Sequence, residues 1–374
     1  MKKTLIALAV SAATLAFGAN ADTLATAQAN DANLSGTTLY SANGNTIIMN
    51  GRIEGVAKEQ GGKVTSDSDA RIGFGGVSVI NAKNNLYGVG YYQAQLTTAD
   101  NGSTDSGSTT ITNRYLYAGV GGNFGQVVYG KDDGAFETFM DGYTDIMSTF
   151  GDNYRMLNVA DRSDNTVTYQ GSYGNFSAIA NYRFADGSTN TNGDVVSNGQ
   201  RGTSAAVNYV IGDTGATIGT GYSNQNGSHL YMTGVGYTIS NFYVGATYNT
   251  GKLNFGNTTS RSAFGGYKTS ENFGANTLSF TNEQDYREYE LAASYTLGKT
   301  LFTTNYSNEK TGDFTTGKAL AIDATYFFTP NFRSYIGYNF NLLSQGDSIG
   351  TSSTDVVTKA GAEDQAMVGM RYDF

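Results

Sequence analysis

The side chains with the clearest capacity for chemistry fall into two sets of opposite charge. Arg52, Arg71, Arg114 and Arg162 share one parity in stretches that alternate apolar and polar residues. Glu137, Asp141, Asp145 and Asp152 fall together in the stretch 133–161. Neither set reads as covalent machinery. The only histidine, His229, follows Asn-Gly-Ser at the edge of a turn-rich stretch, and no serine near it sits in a strand-to-helix elbow. With no cysteine there is no Cys/His cluster for zinc, and the acids of 133–161 lack EF-hand spacing. Gly119-Val-Gly-Gly-Asn lies between strand-like runs, so it is turn chemistry rather than a phosphate cradle. No catalysis, no cofactor and no nucleic-acid partner is expected. What remains is a field between fixed charges, and its strength depends on the elements that hold them.

Those elements begin after residue 21. Lys2 and Lys3 precede an apolar run from Leu5 to Phe17 and a small-residue site at Ala19-Asn20-Ala21, the pattern of a signal peptide. The run is too short to cross a bilayer as a helix. Removing residues 1–21 takes away both lysines and moves the formal charge from -9 to -11. Residues 22–37 show neither clear alternation nor a helix cap and read as an N-terminal extension. The absence of cysteine rules out a disulfide framework. Mean hydropathy is -0.33, and no later stretch is apolar enough for a membrane helix. With 27 Tyr and 20 Phe the chain is too aromatic for disorder, while 49 Gly and a single Pro suit strands joined by tight turns.

From Thr46 to the last residue the period is two. Ile47, Met49 and Ile53 share one parity, with Asn50, Arg52 and Glu54 on the other. Phe332, Ile336, Tyr338, Phe340 and Leu342 alternate with Arg333, Tyr335, Asn339 and Asn341. On the same reading Ile53, Ile72, Tyr115, Val167 and Tyr169 face outward beside the inward arginines. Sixteen such strands are predicted. Short turns at 81–85, 122–124, 172–174, 212–214, 240, 298 and 329–330 alternate with longer loops at 58–68, 98–111, 133–161, 185–200, 224–228, 251–283, 309–316 and 344–362. A half-solvated sheet explains the alternation but not the sorting of loops by length, which an outer-membrane barrel requires. Aromatics near strand ends on the outward parity, among them Phe184, Tyr237, Phe242, Tyr295, Phe328 and Tyr372, fit interfacial girdles. The stretch 133–161 is too long for a hairpin connection. It also carries Phe136, Phe139, Met140, Ile146, Met147 and Phe150, which must pack on something; the barrel interior is the available place.

One inward arginine is ordinarily a wall-bracing ion pair. Four on strands one, two, four and six suggest a shared basic patch facing the loop's carboxylates across an aqueous lumen, where water and ions screen like charges.

The motifs then become specific. Leu39-Tyr-Ser-Ala-Asn-Gly-Asn, Met49-Asn-Gly-Arg-Ile-Glu-Gly, Asp69-Ala-Arg-Ile-Gly-Phe-Gly-Gly, Asn113-Arg-Tyr-Leu-Tyr-Ala-Gly-Val, Phe124-Gly-Gln-Val-Val-Tyr-Gly-Lys and the terminal Val368-Gly-Met-Arg-Tyr-Asp-Phe resemble the trimeric general diffusion porins of the Gram-negative outer membrane. The resemblance spans about residues 38–374 in order. It implies an all-β, 16-stranded antiparallel transmembrane β-barrel with a long inward-folded constriction loop (133–161), passing small hydrophilic solutes and ions. By position, Arg52, Arg71, Arg114 and Arg162 correspond to the family's basic eyelet wall and Asp145 to a constriction-loop acid. Thr149 stands where the family has a second acid, and Asp152 follows close behind. The resemblance further implies a homotrimer and contact with outer-membrane lipid and lipopolysaccharide. It also implies a barrel-assembly machinery that reads Phe374 and Tyr372 at the end of the last strand. A substrate-selective porin and a plugged barrel serving as adhesin or anchor are the alternatives, separated by saturable transport and by conductance.

Overall fold

The computed structural model of the chain describes residues 18–98, 109–150, 155–189, 191–192, 194–197, 200–255 and 280–374. Sixteen antiparallel strands follow one another around a closed barrel. They are β1 (Asn45–Gln60), β2 (Asp69–Asn81), β3 (Leu86–Thr98), β4 (Thr109–Gly122), β5 (Gly125–Asp133), β6 (Arg162–Tyr173), β7 (Phe176–Arg183) and β8 (Gly202–Ile211). The second half comprises β9 (Ala216–Gln225), β10 (Ser228–Ile239), β11 (Phe242–Asn254), β12 (Glu283–Leu297), β13 (Thr300–Thr311), β14 (Phe314–Thr329), β15 (Phe332–Asn341) and β16 (Gln365–Asp373). Each expected strand coincides with one of these to within a few residues. No described helix is long and apolar enough to cross a membrane.

Alternation builds the wall. Along β10 the odd-numbered residues from Tyr231 to Ile239 point outward and the even ones are buried or half-buried toward the interior. The outward set is apolar around the barrel, with Ile218, Val235, Leu291, Ile336 and Val368 all exposed. Lipid on one side and water on the other produce this division.

Several loops are shorter than expected because strands run further at that end. The stretch 224–228 contracts to Asn226-Gly227, both at positive φ (54° and 80°), the paired left-handed geometry that Asn-Gly adopts in a two-residue hairpin. Likewise 309–316 contracts to Gly312-Asp313, with Thr311 paired to Phe314. Much of 58–68 becomes a hairpin, since Lys63–Ser66 pairs back on Ala57–Gln60.

The first residues of the barrel region are not a tail. A helix, α1 (Gly18–Asn30), leads through a 3-10 turn at Ala32–Leu34 into a strand at Thr37–Ala42. The helix packs inside the barrel at the short-turn end. Ala27 and Leu34 are fully buried against Ile48, Val77, Tyr87 and Tyr117. Small side chains let the helix approach closely, and the wall reciprocates: a Cβ at Gly75 would stand 3.1 Å from Leu34 Cδ2. Asn30 Nδ2 donates to Tyr87 Oη and to the Gly122 carbonyl, both at 3.1 Å. Asp31 accepts from Tyr117 Oη at 2.6 Å, from Gln126 Nε2 at 2.9 Å and from the Asn33 amide at 3.0 Å. Burial pushes the Asp31 carboxyl above its ordinary range, while these donors pull it back.

Closure uses both ends of the described chain on one edge of β1. Thr37–Ala42 pairs with its first residues and β16 with its later ones, Arg52 to Gln60. The two meet at Gly51, whose amide donates to the Phe374 carbonyl at 2.9 Å and whose carbonyl accepts from the Phe374 amide at 3.0 Å. A Cβ on Gly51 would come within 2.6 Å of the Phe374 ring.

Candidate pore constriction

The connection between β5 and β6 folds inward, as its apolar content requires. It opens with a short helix, α2 (Ala135–Phe139), and a 3-10 turn at Asp141–Tyr143. Phe136 and Met140 are fully buried, in one cluster with Ile179, Ala206, Leu230 and Met232 on the inner wall. Polar anchors then fix its course from strand to strand. The Ala135 amide donates to Ser204 Oγ of β8 at 3.2 Å. Tyr243 Oη of β11 donates to the Tyr143 carbonyl at 2.9 Å, and Asn305 Nδ2 of β13 to the Thr144 carbonyl at 3.1 Å. At the far side Asp323 of β14 accepts from the Ser148 and Thr149 amides at 2.7 and 3.2 Å. The return passes Arg155, whose guanidinium pairs with Glu309 of β13, both side chains under 5% exposed. Arg155 also donates its amide to Tyr286 Oη of β12 at 3.1 Å.

The loop can lie flat there because the wall beneath it is glycine. A Cβ at Gly245 would collide with the Tyr143 carbonyl, one at Gly234 with the Tyr143 ring, and one at Gly337 with Thr149. Thr149 thus pins the loop tip on a wall carboxylate, its amide and hydroxyl both donating to Asp323 at 3.2 Å.

The arginines stand on the other wall, and their partners differ. Arg52 of β1 is bidentate on Asp69 (3.2 and 3.0 Å) and pairs with Glu54 at 3.0 Å. Arg162 of β6 holds Asp133 at 2.7 Å and Glu137 at 3.0 Å. Arg71 of β2 donates from Nε to Gln95 Oε1 at 2.9 Å and meets Asp69 only at 3.7 Å. Arg114 of β4 donates to the same amide oxygen at 3.2 Å and makes no ion pair among the described residues. Two guanidiniums therefore share one neutral acceptor.

Tyr115 departs from the expected outward parity. A bulge places Gln93 opposite Tyr115 but Ala94 opposite Asn113, so Arg114 and Tyr115 both turn inward. The Tyr115 ring is buried under the Arg162 guanidinium, 4.7 Å from its centroid, and its hydroxyl donates to Asp133 at 2.7 Å. Glu137, expected opposite the basic wall, instead sits on it beside Arg162. Asp141 and Asp145 lie half-buried along the loop, with the Asp145 amide donating to the Asp141 carbonyl at 3.0 Å. Asp152 lies outside the described residues. The basic wall also continues past the expected four: Arg371 of β16 and Arg333 of β15 both hold Asp373, at 2.7 and 2.6 Å. Their parity is that of Arg52, which was the available signal. Asp69 and Gln95 carried none, since only the fold brings them to the arginines.

This geometry can be set beside known proteins. The chain matches the family model described as Gram-negative porin over residues 6–346. It is similar to outer membrane protein U of Vibrio parahaemolyticus, 39% identical over 100% of both chains, and to outer membrane protein U of Vibrio cholerae, 40% identical with the same coverage. Among solved structures it is similar to an OmpF of Salmonella typhi in complex with daunomycin, at a TM-score of 0.68 and 22% identity over 90% of this chain and 100% of that one. It is also similar to an anion-selective porin from Comamonas acidovorans, at a TM-score of 0.63 and 15% identity over 88% and 100%. At those identities the solved structures speak to the fold alone.

Proposed function

The chain belongs to the family of Gram-negative porins, and from that premise we propose how its pore sorts solutes by charge. It is an outer-membrane protein whose barrel gives small hydrophilic solutes and ions a path for passive diffusion. In our reading Arg71 and Arg114 form the cationic side of the eyelet. The observation that carries this is the sharing of Gln95 Oε1. Arg52 and Arg162 each face two carboxylates, and the one acid near Arg71 is already bidentate on Arg52. Desolvated pairs of that kind hold their charge within the wall, whereas guanidiniums on a neutral amide still attract anions. Asp145, Asp141 and Asp152 supply the acidic side from the loop, which sets the size limit. The N-terminal segment narrows the lumen again at the short-turn end.

The remaining features follow the family. Residues 1–21 direct export and are removed, leaving Asp22 near the start of the docked helix. The chain assembles as a homotrimer among lipopolysaccharide and other outer-membrane lipids, after the assembly machinery reads Tyr372 and Phe374. Deleting Phe374 lowers trimer yield; normal yield would remove that role.

The test is single-channel conductance and reversal potential of the purified protein in a planar bilayer under a salt gradient. Stepwise, non-saturating conductance in triplets is expected. Silence from folded protein would contradict an open pore.

A further inference from the structure

The long-loop end of the lumen is apolar at a place where water would favour polar side chains. Leu253 of β11, the nearby Phe255, Phe280 ahead of β12 and Tyr286 of β12 are buried there, with Phe314 of β14 packed against them. Ring centroids stand 5.1 Å apart for Phe255 and Phe280 and 6.0 Å for Phe280 and Phe314. The connection between β15 and β16 adds to this cluster. Residues 344–362 do not splay into solvent. Ser348 bridges to Val356, the Ile349 amide donates to the Asp355 carbonyl at 2.8 Å, and the Val357 amide donates to the Asp347 carbonyl at 2.9 Å. Asp355, itself buried, accepts from the Ser352 amide at 2.9 Å and closes the turn. The far side is moored to β1, where Gln60 Nε2 donates to the Ala360 carbonyl at 2.8 Å. Alternation in this hairpin turns Ile349 and Val357 inward, at 0% and 1% exposure, and leaves Ser348 and Val356 exposed.

Ile349 and Val357 do not bury each other alone. They share one apolar cluster with Met156 and Leu157 on the return limb of the constriction loop, and with Phe136 and Met140 near its start. Tyr286 belongs to the same cluster, accepts the Arg155 amide at 3.1 Å, and its ring lies 5.8 Å from the Arg155 guanidinium. Arg155 anchors one point of the limb through its ion pair with Glu309. The two residues after it, Met156 and Leu157, offer only apolar side chains, so packing must hold those side chains in place. The outer hairpin completes that packing. Close-packed side chains leave little free volume, so removing one lets its neighbours move.

We propose that Ile349 and Val357 are positioning residues for the eyelet. Through Met156 and Leu157 they clamp the return limb of the constriction loop, so an outer loop fixes the size limit that is set deeper in the lumen. The clamp rests on the reading of 133–161 as the size-limiting loop and adds what holds that loop from outside.

The test uses liposomes carrying the purified protein, with swelling rates read for neutral mono-, di- and trisaccharides, which keep the charge of the arginine wall out of the readout. Ile349→Asn/Val357→Asn is expected to raise the trisaccharide rate relative to the monosaccharide rate severalfold. Val356→Asn, on the exposed face of the same hairpin, is expected to leave that ratio unchanged, as is Ile349→Leu, which keeps the packing. Ile349→Ala and Met156→Ala, milder changes if the double variant folds poorly, are each expected to raise the ratio. Together they are expected to raise it by less than the product of the two, because both act on one limb. An unchanged or lowered ratio in the asparagine double variant would overturn the clamp. So would a full product in the alanine pair, which would mean that the hairpin obstructs the mouth independently of the loop. A fall in thermal midpoint with no change in ratio would assign Ile349 and Val357 to stability alone and overturn it too. No swelling with any sugar from the unsubstituted protein would instead contradict the open pore on which the clamp rests.

Discussion

The two inner walls of the barrel solve different problems. Across β1–β6 the interior is charged, and the arginines meet partners drawn from neighbouring strands. Across β8–β15 it offers glycine at points where the constriction loop lies, and wall side chains such as Tyr243, Asn305 and Asp323 hold the loop's backbone. One wall is built to present side chains to water. The other gives up its side chains at Gly234, Gly245 and Gly337 so that a separate segment can lie on it. On the charged wall, losing Arg52 or Arg162 exposes carboxylates, whereas Arg114 holds only a neutral amide oxygen.

That contrast can be broken from either side. The largest stability effect is expected at the seat: Arg155→Ala leaves Glu309 buried without its guanidinium, at a cost of about 3–5 kcal/mol, read as a drop in denaturation midpoint. A midpoint that does not move would mean the pair is dispensable. Gly245→Val forces the Tyr143 turn off the wall at about 1–3 kcal/mol and is expected to alter conductance, whereas the same change at Gly55, which faces open space, leaves it unaltered. On the charged wall, Arg71→Glu with Arg114→Glu is expected to shift the reversal potential severalfold toward cations, since two uncompensated charges reverse. Arg162→Gln is expected to shift it far less, because Asp133 and Glu137 already offset that charge; equal shifts would erase the distinction between paired and unpaired arginines. Smallest of all, Asp31→Ala removes the acceptor of Tyr117 and Gln126 and is expected to raise conductance modestly by loosening the N-terminal segment.

The barrel was legible because its physics is local: lipid outside and water inside impose period two on every strand, and turns punctuate them. Tyr115 was misplaced because a single extra residue at the Arg114 bulge flips parity for its neighbours, and nothing in Asn113-Arg-Tyr announces the insertion. The N-terminal helix escaped for another reason. Its alanines carry no apolar stripe, and Tyr87, Tyr117 and Gln126, the partners of Asn30 and of Asp31 just after it, lie 57 to 95 residues away. Arginine parity was readable, but its pairing with Asp69, Gln95 and Asp133 was not, because register across strands decides which side chains meet. Loops 224–228 and 309–316 were overestimated since polar residues at strand ends look like loop residues.

The seam on β1 has a consequence in time rather than in space. Gln60 and Gln365 join side chains across 305 positions, and the Gly51–Phe374 exchange joins residues still farther apart. Contacts this distant in sequence are slow to form, because the intervening chain must be ordered before they contribute. The strand that closes the ring follows the other fifteen in the chain, so the ring closes only after all of them have been synthesised. Until then β1 offers an open edge to any passing strand. Once closed, no edge is left from which to unzip, and the same separation that delays closure makes reopening a concerted event, so the protein should persist by the height of that barrier.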